Sequence, residues 1–156
     1  MQEKRMEDSM TEQTHLLMPQ HINGSGRLFG GQLLAWIDET AGIVGRRHSG
    51  RDVVTAAIDN LQFKAGAYRN EIIVLIGRIT YTGNTSMEVR VDTYVEGSDG
   101  MRRPINRAYL MLVAVDEAQK PAPVPRLIVE TEGQKGEWEG ALKRKEFYKK
   151  RRIEGF

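Results

Sequence analysis

The sequence predicts an α+β domain in which an antiparallel sheet wraps one long central helix, and two hydrophobic periods carry that prediction. Apolar residues recur at three- and four-residue spacing over residues 31–48, and from Val53 onward the period drops to two through four successive runs. A helix that is apolar almost all round needs cover on most of its surface, which consecutive strands supply by curling about it.

The helix comes first. Leu33, Leu34, Ile37, Ala41 and Val44 form its repeating face, and its few polar interior residues are Gln32, Asp38, Glu39 and Thr40. Arg46, Arg47 and His48 sit where cations favour a helix C-terminus. No Ser, Thr, Asp or Asn caps its start; Gly30 and Gly31 open it and leave backbone N–H groups exposed. Residues 53–63, 71–82, 86–96 and 105–116 then read as strands. In the third, Met87, Val89, Val91, Thr93 and Val95 alternate with Glu88, Arg90, Asp92 and Tyr94, giving one buried face and one wet or partner-facing face. Gly83, Asn84 and Thr85 make the turn before it, and Ser98, Asp99 and Gly100 the turn after it, as antiparallel hairpins require. Three prolines in 117–125 end the last strand, and a charged segment over 132–152 reads as a terminal helix with an exposed basic face. The expected organisation is a flexible polar leader over 1–14, a folded domain over 15–130 and a charged helix and tail over 131–156.

Composition sets bounds on function. A chain of 156 residues, 40% apolar and 28% charged, suits one soluble domain and contains no apolar run long enough to span a membrane. The first residues lack the apolar core of a secretory signal, so a cytoplasmic protein is expected. Without cysteine there is no disulfide and no thiolate chemistry. The net charge of +2 conceals a basic stretch at 143–152, with seven cations against one acid, so the rest of the chain is acidic in balance. Such a run reads as a solvated helix face rather than a dedicated site, and without aromatic stacking partners it disfavours nucleic-acid binding.

Asp38 is the one acid in the helix pattern with a suggestive setting. Leu34, Ala35, Gly42 and Gly45 fall on its side of the helix, and three of those four are small, leaving space for a substrate above the carboxylate. The structural alternative is an ordinary ion pair or backbone contact. The second unusual feature is the glycine-rich loop from His21 to Gly31, whose N–H groups at a helix start suit a developing oxyanion; equally, its glycines serve a tight turn. The loop is neither a P-loop nor a dinucleotide fingerprint nor a nucleophile elbow. His15, His21 and His48 have no zinc-site spacing, so no metal is expected.

Taken together, HINGSGRLFGGQLLAWIDETAGIVGRRH, VVTAAIDNLQFKA and TYTGNTSMEVRVDTYVE resemble the hotdog-fold acyl-CoA thioesterases related to bacterial YciA and mammalian brain acyl-CoA hydrolase. The resemblance spans residues 16–125. It implies protomers joined edge to edge, dimers assembled as trimers of dimers into a hexamer, and a site between protomers. It implies that Asp38 is the catalytic acid, acting as general base on water or as nucleophile, and that Asn23 comes from the facing protomer. By the same resemblance the amide of Gly31, with Gly30, polarises the thioester oxygen, and acyl-CoA is hydrolysed with no cofactor beyond water. Thr82, Asn84 and Ser86 then fall where such enzymes touch coenzyme A, although Gly83–Asn84 is also simply a good turn. Phe63 and Lys64 complete the expected substrate contacts, with Leu34, Phe63 and Tyr81 as acyl-pocket walls. Two other readings remain: a non-catalytic acyl-CoA-binding hotdog module, as in regulators that carry an added DNA-binding domain, for which the flanking segments are too short, and a dehydratase, which pairs a histidine with an acid.

Overall fold

Helix α1 (Gly30–Ser49) lies on a five-stranded antiparallel sheet in a computed structural model that describes residues 2–59 and 61–156. The helix exceeds the expected span by one residue at each end, and Leu33, Ile37, Ala41 and Val44 of the predicted apolar stripe are buried, with Trp36, while Leu34 is half-buried. The sheet strands are β2 (Thr11–Leu16), β3 (Asp52–Asp59), β4 (Ile72–Thr82), β5 (Ser86–Glu96) and β6 (Arg102–Val115), in the spatial order β2-β4-β5-β6-β3. A sheet that closes around a single helix in this manner is the hotdog fold.

Close approach of helix to sheet depends on two glycines. A Cβ on Gly77 of β4 would stand 3.0 Å from Cγ2 of both Thr40 and Val44, and one on Gly45 of α1 would stand 2.7 Å from Leu112 Cδ1 of β6. Side chains at either position would lift the helix from the strands that cover it.

Three expectations change. First, residues expected to be a flexible leader are ordered. Thr11–Leu16 pairs antiparallel with β4, and β1 (Glu3–Arg5) pairs parallel with β7 (Arg126–Ile128). Their alternation is polar because both lie at sheet margins, where one face meets water. Second, β3 stops at Asp59 instead of reaching Phe63. Position 60 of the expected strand lies outside the described residues, and beyond it the Gln62 carbonyl accepts from Asn106 Nδ2 at 2.6 Å, off the ladder. Third, the polar face of β5 is neither wet nor bare. Helix α2 (Glu132–Glu154), begun by the Thr131 cap whose Oγ1 accepts from Gln134 N–H, lies over it. Glu88 there is fully buried and takes two 2.8 Å bonds from Arg144 and one from the Thr80 hydroxyl. The guanidinium also lies 3.6 Å above the Tyr109 ring. No helix among the described residues is long and apolar enough to cross a membrane.

Candidate active site

Asp38 projects from the middle of α1, exposed in the single chain, and its Oδ1 accepts the Thr55 hydroxyl at 2.6 Å. Thr55 stands on β3 at a register shift between Thr55 and Ala57 in the pairing with β6. Such a bulge re-aims a side chain that regular pleating would send elsewhere. One turn along the helix, a Cβ on Gly42 would meet nothing within 4 Å, so the space predicted over Asp38 exists there. Gly45, expected to share in that space, instead packs against Leu112.

The glycine-rich loop is organised by Asn23. Its Oδ1 accepts from Ser25 N–H (3.0 Å), Ser25 Oγ (2.8 Å) and Arg27 N–H (3.2 Å), an Asx turn that leaves the side-chain NH2 without an acceptor among the described residues. The chain then enters α1 through Phe29, whose N–H goes to the His21 carbonyl and whose own carbonyl takes Gln32 and Leu33 N–H. The N–H groups of Gly30 and Gly31 find no acceptor among the described residues, as expected of an uncapped start. Phe29 folds its ring over Gly31, where a Cβ would sit 2.5 Å from Cε2.

Asn23, Gly30, Leu33, Phe63, Lys64 and Ile105 are among the walls of a cavity of about 300 Å³. Asp38 is not. From Gly30 to Asp38 is about 12 Å along the helix axis at about 1.5 Å per residue. A single chain therefore unites the loop, the helix start, Phe63 and Lys64, and holds the Asp38–Thr55 pair apart from them.

The expected coenzyme A contacts divide. Thr82 is buried and its Oγ1 accepts the Leu127 N–H of β7 at 3.1 Å. Asn84 is exposed, with its carbonyl taking Val124 N–H. Ser86 closes the turn, its carbonyl accepting Gly83 N–H at 2.8 Å. Tyr81, expected as an acyl-pocket wall, packs 4.5 Å from Trp138 on the α2 side, because the β4 register shifts between Ile79 and Tyr81. Thr55 was not singled out from sequence; its only signal is a lone hydroxyl in the apolar run VVTAA. Among the described residues no group of three His, Cys, Asp or Glu is placed to hold a metal ion. His48 is buried with Nε2 2.7 Å from the Pro125 carbonyl, and burial pushes its pKa down.

The sequence profile of the thioesterase superfamily matches residues 25–101. A solved apo-hexameric acyl-CoA thioesterase superposes with a TM-score of 0.92 at 42% identity, covering 97% of each chain. The chain belongs to the acyl-CoA thioester hydrolases of the thioesterase superfamily. Within this family it is also similar to the Staphylococcus aureus acyl-CoA hydrolase solved with butyryl coenzyme A, coenzyme A and coenzyme A disulfide, at 33% identity and a TM-score of 0.91, covering 98% of this chain and 94% of that one. The same enzyme is known in forms with an aspartate, a threonine or an asparagine changed to alanine. A Rattus norvegicus cytosolic acyl coenzyme A thioester hydrolase is 35% identical over 135 residues, 84% of this chain; the chain spans only 35% of that relative's length.

Proposed function

We propose that the protein hydrolyses acyl-CoA thioesters to a free acid and coenzyme A, with Asp38 of one protomer and Asn23 of its partner meeting at a shared site. The observation that carries this is the Asp38–Thr55 pair, an open carboxylate fixed by a hydroxyl beside free space. The three alanine replacements in the Staphylococcus enzyme are spaced fifteen and then seventeen residues apart, the intervals separating Asn23, Asp38 and Thr55.

Asp38 takes a proton from water as the water oxygen attacks the thioester carbon, or attacks that carbon itself and is released by water. Both routes put negative charge on the thioester oxygen. The open N–H groups of Gly31 and Gly30, at the positive end of α1, meet that charge, and the free NH2 of Asn23 orients water or the carbonyl. The C–S bond then breaks and coenzyme A leaves as thiolate. So drawn, the reaction consumes only water.

A shared site is supported by the absence of Asp38 from the walls of the cavity that Asn23 lines within one chain. Edge strand β3 carries Thr55 and leaves Val54 45% exposed. Pairing two β3 edges would extend the sheet, cover Val54 and bring a second loop toward Asp38. Three such dimers would make the hexamer. Phe63 and Lys64 flank the substrate, and exposed Asn84 with Ser86 offers polar contacts to coenzyme A. Similarity to a cytosolic hydrolase supports a cytosolic location.

Thiol release from short, medium and long acyl-CoAs tests the reading. Wild type should release thiol, with Asp38→Asn and Asn23→Ala each down by roughly a hundredfold or more, the scale expected for losing an acid–base group and an oriented hydrogen-bond donor respectively. Tight binding of acyl-CoA without thiol release would refute it and favour a binding module.

A further inference from the structure

The stretch from Met18 to Phe29 presents Asn23 and delivers the chain into α1, and one residue ties it together. The N–H of Met18 donates to His21 Nδ1 at 3.0 Å. The main-chain carbonyl of His21 accepts the N–H of Phe29 at 2.9 Å. A ring nitrogen that accepts carries no proton, so this imidazole holds its hydrogen at Nε2. The ring is lodged edge-on against Trp36, with centroids 4.9 Å apart and planes at 69°, and Trp36 is itself stacked flat against His15 of β2 at 4.2 Å. Trp36 is only 5% exposed, so it anchors the loop to the core of α1. His15 is held toward its neutral form by burial, which outweighs the opposing pull of Glu39.

Neither histidine lines the cavity at the loop, and the proposed chemistry uses neither. Yet Asn23 follows His21 by two residues, and Gly30 follows the residue bonded to the His21 carbonyl. Any displacement of His21 is therefore passed both to the Asn23 amide and to the open N–H groups that start α1.

We infer that His21 is a positioning residue for the reaction, its Nδ1 acceptor holding Met18 so that Asn23 and the helix start keep their relative placement. The inference rests on the thioesterase reading above. Its chemical content lies in one atom, which makes it separable from a general packing role: His21→Asn carries an amide oxygen where Nδ1 sits and keeps the acceptor, whereas His21→Gln moves its amide one bond further and loses it.

The experiment is steady-state thiol release by wild type, His21→Gln and His21→Asn, normalised to folded protein by thermal unfolding. His21→Gln should lose roughly tenfold to a hundredfold in kcat with little change in KM, the scale on which a misplacement of about 1 Å acts. His21→Asn should stay within about threefold of wild type, as retention of the acceptor requires. Equal losses in both variants, or no loss in His21→Gln, overturn the inference. A wild type that releases no thiol overturns the thioesterase reading itself, a result distinct from either.

Discussion

Replacing Thr55 by Val removes one hydroxyl and little else. The shape is nearly kept and the residue stays β-branched on a β-strand, so any loss of stability should not exceed the contribution of the hydrogen bond itself. What is lost is the 2.6 Å bond to Asp38 Oδ1. A hydrogen bond to a charged acceptor contributes about 1.5–3 kcal/mol, and the exposure of both residues in the chain argues for the lower end. At about 1.4 kcal/mol per factor of ten, Thr55→Val should lower kcat roughly tenfold. The loss should fall on kcat rather than KM, because the bond orients the reacting carboxylate and touches no part of the acyl chain. Thr55→Ser, which keeps the hydroxyl, should recover most of the rate. The assay is thiol release at saturating acyl-CoA. A Thr55→Val enzyme retaining more than half the wild-type kcat would show that the bond does not orient Asp38 for reaction.

Other predictions concern the frame. Arg144→Met strips the fully buried Glu88 of its cation and should cost about 3–5 kcal/mol in urea unfolding at fixed protein concentration, whereas Glu88→Leu with Arg144→Leu should recover most of it; a single-variant cost under about 1 kcal/mol refutes the pairing. On α1, Gly42→Ala fills open space and should gain about 1 kcal/mol, while Gly45→Ala meets Leu112 and should be a net loss, read as opposite shifts in melting temperature. Burial lowers the His48 pKa from its ordinary 6.5. The unfolded chain therefore binds a proton that the folded chain resists, so this contribution to stability is complete above that value and is lost as pH falls through it. The melting temperature should drop on acidification, and less steeply in His48→Gln, which keeps a donor for the Pro125 carbonyl.

Much of this molecule is legible without coordinates because its long elements obey one period each. The stripe of Leu33, Ile37, Ala41 and Val44 leaves α1 little choice of face, and β5 runs over the residues that its alternation marks. The N-terminal strands were not legible. Thr11–Leu16 is polar on its open side and gains its place only from hydrogen bonds to β4, which pairing supplies and composition does not. Burial of Glu88 was hidden for a related reason: a strand's polar face reads as wet until a helix more than fifty residues later brings Arg144 to it. Of the proposed site, Asp38 and the Gly30–Gly31 start stand out in the sequence because a helix fixes their neighbours by spacing. Thr55 does not, since its approach to Asp38 needs a bulge and a tertiary contact, and nothing in the sequence shows that the Thr82 oxygen accepts the Leu127 N–H of β7.

The central claim is that Asp38 and Asn23 act from different protomers, and complementation tests it most directly. Asp38→Asn and Asn23→Ala chains, each inactive alone, are mixed in equal amounts by co-expression and assayed for thiol release. Random pairing makes half of the dimers mixed, each with one intact site of two, so roughly a quarter of wild-type activity should return. Mixed oligomers that form and remain as inactive as either parent would contradict a site shared between protomers.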